Sequence, residues 1–213
     1  MKRGTIHLAL VAVLAATLTA GKLALAIVPN LEIVTLLIMV YSVVFGWRVG
    51  LPAVLIFCTL EIYIWGFFPV YVLLYYIYWP LLVVLAWGFL RRADNIKAAI
   101  FACVVTLLFG FLSGLLEVLF LYSFEAVDFG KVYWANYLRG IPFYGMHIGG
   151  NLIMALFLFT PLKRVMERVR TKVLDTTTDD VITVKLTLFE SIYVAIVSLM
   201  EIVVISYLFL LIF

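Results

Sequence analysis

The stretch NYLRGIPFYGMHIGGNLIMALFLFTPLKRVM, residues 136–166, decides the fold class of this chain. Its apolar run carries His147 and Asn151 four positions apart, so a helix places both side chains on one face. Polar groups inside a bilayer are costly unless they face a partner or a cavity. The run closes on the basic pair Lys163 and Arg164, which is typical of a cytoplasmic helix end. The stretch therefore predicts a membrane-spanning helix that lines a cavity.

The composition of the whole chain agrees with a membrane protein. Hydrophobic residues make up 67% of the 213 residues, charged residues make up 13%, and the mean hydropathy is +1.22. Soluble domains do not reach such values, and long apolar runs exclude the short alternating strands of a barrel. The net charge of +3 lies mostly in loops and does not support nucleic-acid binding. We therefore predict an all-α fold, a polytopic membrane helical bundle.

Six apolar runs have about the length that a bilayer demands. They form a predicted six-helix domain over residues 1–165, and the first of them is interpreted as a retained span rather than a cleaved signal peptide. A polar cytoplasmic linker over 166–186 follows, and the apolar run 187–213 is expected to form an additional helix that spans the membrane. The six predicted spans are 5–27, 31–47, 51–67, 70–90, 98–123 and 138–162.

The distribution of basic residues predicts the orientation. Placing the N-terminus in the cytoplasm puts twelve of the fifteen Lys and Arg residues on that side. The exceptions are Lys131 and Arg139 in outer loops and Lys22 within the first span, whose amine is expected to extend outward to the headgroups. An excess of Lys and Arg marks cytoplasmic loops. The sequence thus predicts a multi-pass protein of the cytoplasmic membrane with its N-terminus inside the cell.

Small residues recur along the first span. Alanines at this four-residue spacing form a smooth stripe that another helix can approach closely. Two interpretations are open, because the stripe could pack within the same bundle or could dock a different subunit. The stripe consists of Ala12, Ala16, Ala20 and Ala24.

Aromatic residues crowd the third and fourth spans. Part of this set fits the interfacial belt of a membrane protein. Tyr75, Tyr76, Tyr78 and Trp79 continue toward the middle of the fourth span, where their rings would suit a pocket for a planar solute. The belt and the pocket are both open interpretations.

An enzymatic site is not expected. The spacing of His147 and Asn151 resembles that of intramembrane CAAX-type proteases, which also need a pair of adjacent glutamates and a further histidine. The chain has no Glu-Glu pair, and its other histidine is His7 in the first span. Such a set does not assemble into an acid–base or metal site, so no cofactor and no metal are predicted.

The chain resembles the substrate-binding S components of energy-coupling factor (ECF) transporters over about residues 5–165. Four features carry the resemblance in order: the alanine stripe, a proline-containing loop, an aromatic fourth span and a final helix with His and Asn. Their sequences are Ile-Val-Pro-Asn-Leu-Glu at 27–32, Tyr-Ile-Tyr-Trp-Pro at 76–80, and Gly-Ile-Pro…His…Gly-Asn…Pro-Leu at 140–162. The Pro-Asn-Leu-Glu and Trp-Pro elements are most similar to those of cobalamin-type S components.

The resemblance implies the partners and the site. An S component captures a vitamin, here best matched by cobalamin, and delivers it inward when docked on a transmembrane coupling subunit and two cytoplasmic ATPase subunits. The alanine stripe would meet the coupling subunit, and the first loop would close over the ligand. The implied substrate-binding residues are Asn30, Glu32, Tyr75, Tyr78, Trp79, Arg139, His147 and Asn151. The alternatives are a CAAX-type protease and a membrane assembly protein without a ligand.

Overall fold

The structure is a computed structural model of the chain, and it describes residues 3–28, 31–121 and 128–174. Within these ranges the regular secondary structure is entirely helical, which confirms the predicted all-α class. The six helices are α1 (Arg3–Leu25), α2 (Val34–Phe45), α3 (Trp47–Trp65), α4 (Pro69–Phe89), α5 (Asn95–Leu121) and α6 (Phe129–Leu174).

Five of the six helices are long and apolar enough to cross a membrane, and α2 is the exception. With 12 residues, α2 is about 18 Å long, well short of the roughly 30 Å of a hydrocarbon core. The prediction of a second full span over 31–47 is therefore not confirmed. All residues of α2 except Val43 are buried, and the helix contacts α1, α3, α4 and α6. Because protein surrounds it, α2 does not need the length of a lipid-facing span.

A glycine separates α2 from α3. Gly46 has φ +83°, a conformation that a side chain makes costly, and α3 begins at the next residue. The predicted spans 31–47 and 51–67 place the break at residues 48–50 instead. That prediction is wrong, because residues 48–50 lie inside α3 and the left-handed backbone at Gly46 makes the break.

Side chains fix the start of the later helices. The Asp94 carboxylate accepts a hydrogen bond from the Lys97 backbone N–H at 2.8 Å and caps α5. Asn95 accepts a hydrogen bond from the Thr160 backbone N–H at 2.8 Å, which ties the start of α5 to α6. The two helices then pack along each other.

Helix α6 is much longer than the predicted sixth span. Its 46 residues extend over about 69 Å, more than twice the thickness of a bilayer core. Residues 166–174 continue the helix, so the predicted linker over 166–186 does not begin at 166. The remainder of that linker and the predicted additional helix at 187–213 lie outside the described residues.

Candidate functional site

A cavity of about 370 Å³ lies where the ends of α1 and α3 meet the start of α4. Phe109 from α5 and His147 from α6 close its other side. Four Lys, Glu and His side chains line it: Lys22, Glu32, Glu61 and His147. Aromatic rings form much of the remaining wall: Trp65, Phe68, Tyr71, Tyr75, Trp79 and Phe109.

An ion pair joins α1 to α3 in the wall of this cavity. The Lys22 ammonium contacts a carboxylate oxygen of Glu61, lies 3.2 Å from the Tyr75 hydroxyl and sits 4.5 Å from the centre of the Tyr75 ring. The Glu61 side chain is 4% exposed and that of Lys22 is 22% exposed. The prediction that Lys22 extends outward to the headgroups is wrong. The amine turns inward because Glu61 and Tyr75 supply the partners that a buried charge requires.

A second polar cluster surrounds Glu32, just before α2. The Glu32 carboxylate accepts hydrogen bonds from the Thr35 backbone N–H at 2.8 Å and from the Thr35 hydroxyl. His147 Nε2 lies 3.2 Å from Glu32 Oε1, and Asn151 Nδ2 donates to the same oxygen at 3.0 Å. Asn151 Nδ2 also lies 3.0 Å from the Thr106 hydroxyl of α5. The predicted polar face of α6 thus meets a carboxylate at the entry to α2.

The aromatic residues of α4 divide into two layers. Trp79 lines the cavity, and its indole Nε1 is buried without a hydrogen-bond partner among the described residues. Tyr78 is buried behind this wall, where its hydroxyl donates to the Val105 carbonyl at 3.1 Å and its ring packs edge-on against Phe109. Consecutive helix positions face about 100° apart, which explains why only one of the two reaches the cavity.

The structure brings together half of the predicted site residues. Glu32, Tyr75, Trp79 and His147 line the cavity. Asn151 and Tyr78 are buried behind the wall.

Arg139 does not belong to the cavity, because it lies exposed on α6, eight residues before His147. Eight residues rotate a helix by about 80° beyond two full turns and advance it by about 12 Å, which carries Arg139 away from the cavity face. Asn30 lies outside the described residues.

Lys22 and Glu61 were missed as site residues. The available signal was their opposite charge within two apolar spans, since two embedded charges of opposite sign are expected to pair. Phe109 carried no comparable signal, because nothing distinguishes it from other apolar residues of α5.

The alanine stripe lies on the outer surface of the bundle. Ala12, Ala16, Ala20 and Ala24 are all exposed. The opposite face of α1 is buried against the bundle through Leu10, Val11, Leu14, Ala15 and Leu18. Within the described residues, α1 therefore packs with its leucine face and leaves the small residues pointing outward.

Within the ranges 3–28, 31–121 and 128–174, no three His, Cys, Asp or Glu side chains lie close enough together to hold a metal ion. No protein-family model, no curated protein and no solved structure matches the chain. The chemistry of the cavity therefore carries the functional argument.

Proposed function

We propose that this chain is the ligand-capturing subunit of an ECF-type transporter. In this role it binds a vitamin or vitamin precursor from outside the cell. It then delivers the ligand inward after docking on a membrane coupling subunit with two cytoplasmic ATPases. The observation that carries the proposal is a cavity with aromatic walls and buried charges at one end of an apolar helical bundle.

The position of the cavity supports uptake from outside. It lies at the end of the bundle where α4 begins, and α4 extends for 21 residues, or about 30 Å, toward Arg91 and Arg92. Basic residues concentrate on the cytoplasmic side of membrane proteins. This arrangement supports a cavity at the outer face, as a capture site requires.

The alanine stripe supports docking on a membrane partner. Small side chains allow two helices to approach closely without a hydrophobic driving force. An outward-facing stripe over Ala12, Ala16, Ala20 and Ala24 offers such a surface, while the bundle itself uses the opposite face of α1.

The cavity volume supports a vitamin of modest size. Cavities of about 300–1,000 Å³ hold drug-sized ligands, and 370 Å³ is near the lower end of that range. A corrinoid, with its macrocycle and nucleotide loop, is much larger than a drug-sized ligand. Smaller vitamins therefore fit the cavity better than cobalamin does. Cobalamin is still included in the binding experiment below because of the sequence resemblance.

The test is to purify the full chain in detergent, identify co-purified small molecules by mass spectrometry, and titrate the protein with cobalamin and a panel of smaller vitamins by calorimetry. We expect tight binding of one vitamin, weakened at least tenfold by Tyr75→Ala. The matched control Phe89→Ala changes an exposed aromatic residue at the far end of α4 and should bind as wild type. A folded protein that binds no vitamin would overturn the proposal.

A further inference from the structure

We propose that the Lys22–Glu61 pair is the specificity element of the cavity, and that it recognises a neutral planar heterocycle carrying an N–H beside a C=O, as in a ring amide. This inference rests on the proposed function of the cavity as a ligand site. The inference adds the chemical class of the ligand and names two residues that recognise it.

The first observation is an unused acceptor in the wall of the cavity. Glu61 Oε1 is buried and has no hydrogen-bond partner among the described residues, although its side chain is only 4% exposed. A buried carboxylate oxygen without a partner is costly. A ligand N–H that reaches Glu61 would remove that cost, so the site favours a ligand with a donor.

The second observation is an available donor next to that acceptor. An ammonium group has three N–H donors. The Lys22 ammonium contacts Glu61 and the Tyr75 hydroxyl, which leaves one N–H without a partner among the described residues, and Lys22 is the more exposed member of the pair. Because the ammonium touches the Glu61 carboxylate, the donor and the acceptor lie side by side. Their complement is a ligand edge with adjacent C=O and N–H groups.

The third observation is the shape and charge of the surroundings. Tyr75, Trp79 and Phe109 present ring faces and edges that favour a planar ring system. Lys22 and Glu61 cancel each other's charge, so this part of the wall selects polarity without requiring a charged ligand. The volume of about 370 Å³ suits a system of one to three fused rings.

A comparison with the neighbouring Glu32 shows why Glu61 is the carboxylate that recognises the ligand. Both Glu32 oxygens already accept hydrogen bonds, one from the Thr35 backbone and the other from Asn151 and the Thr35 hydroxyl. Glu32 therefore holds the fold together at the cavity edge, whereas Glu61 retains an oxygen for a ligand.

Stability alone is a weak reason for the ion pair. Replacing a buried ion pair by apolar side chains of similar volume is often neutral or stabilising, while removing one partner is costly. A purely structural role therefore does not explain why Lys22 and Glu61 place charges in the cavity wall. Recognition of a ligand does explain these charges.

The first part of the test uses the unmodified full chain in detergent and two matched probe pairs. Nicotinamide is compared with methyl nicotinate, and lumichrome with 1,3-dimethyllumichrome; in each pair the second compound keeps the rings and carbonyls and loses the N–H. Calorimetry and fluorescence titration should show at least one N–H compound binding ten or more times tighter than its partner. Equal binding within both pairs, or no binding of either N–H compound, would overturn the inference.

The second part of the test uses a double variant that combines Lys22→Met and Glu61→Leu. Its control is Lys97→Met, which changes an exposed lysine at the opposite end of the bundle. The double variant should unfold at or above the wild-type temperature and lose the preference for the N–H compound, whereas the control keeps it. Retained preference in the double variant would overturn the inference. If the double variant does not fold, the probe pairs on the unmodified chain decide.

The two proposals fail in different ways. A vitamin that co-purifies with the wild type and binds the double variant equally well would remove only the role of Lys22 and Glu61. A folded wild type that binds neither probes nor vitamins would remove the proposed function as well.

Discussion

Glu32 and His147 are 115 residues apart in the sequence, and in the structure His147 Nε2 lies 3.2 Å from Glu32 Oε1. Their contact joins the segment that precedes α2 to the middle of α6, and Asn151 donates to the same Glu32 oxygen one helical turn later. Both Glu32 and His147 line the cavity. The Glu32 carboxylate therefore stabilises the edge of the cavity by contacting polar groups of α2 and α6.

Replacing Glu32 with Ala should destabilise the protein by about 1–3 kcal/mol, because Asn151 and the Thr35 backbone N–H would lose their acceptor in a buried place. Thermal unfolding in detergent measures the change. The control Glu167→Ala removes an exposed carboxylate on α6 and should leave the unfolding temperature unchanged. Equal effects of the two variants would show that the Glu32 cluster does not stabilise the bundle.

The polar face of α6 could be predicted from the sequence, but its partner could not. Helical periodicity alone places His147 and Asn151 on one face. The identity of Glu32 as their acceptor depends on how α2 enters the bundle, and local sequence does not encode that long-range contact. The inward turn of Lys22 has the same origin, because only tertiary packing places Glu61 beside it.

Helix existence was more predictable than helix length. Apolar runs located all six helices of the described residues, since burial and lipid exposure both require apolar residues. The short reach of α2 was missed because a buried helix and a lipid-facing span have the same composition. Gly46, whose φ of +83° ends α2, lies within the predicted span 31–47, so the break between the helices was also misplaced.

The alanine stripe predicts a separation between binding and transport. Ala16→Trp or Ala20→Trp should leave vitamin binding by the isolated subunit intact, because both residues are exposed and neither lines the cavity. Uptake by the full complex should fall to background, since a bulky ring blocks close helix approach.

The control for this experiment is Ile100→Trp, a change at another exposed apolar position, on α5. That variant should transport as wild type. Uptake at the wild-type rate in the Ala16 and Ala20 variants would contradict docking through the stripe.

Gly21 predicts how tightly α1 must approach α2. A Cβ added at Gly21 would lie 2.7 Å from the Ile33 side chain and 3.2 Å from that of Leu37. Gly21→Val should therefore lower the free energy of unfolding by about 1–3 kcal/mol through overpacking. Gly88→Val serves as the control, because nothing lies within 4 Å of a Cβ at Gly88. Similar unfolding temperatures for the two variants would rule out a tight contact at Gly21.

Loss of the hydroxyl group should have different effects at Tyr75 and Tyr78: it should lower ligand affinity at Tyr75 and stability at Tyr78. The Tyr78 hydroxyl donates to the Val105 carbonyl behind the cavity, so Tyr78→Phe should cost about 1 kcal/mol of stability and leave vitamin affinity unchanged. The Tyr75 hydroxyl lies 3.2 Å from the Lys22 ammonium inside the cavity. Tyr75→Phe should weaken vitamin binding about tenfold, equivalent to about 1.4 kcal/mol, because Lys22 loses an orienting partner. Calorimetry and thermal unfolding on both variants separate the two effects. A loss of affinity in Tyr78→Phe equal to that in Tyr75→Phe would contradict the assignment of only Tyr75 to the cavity wall.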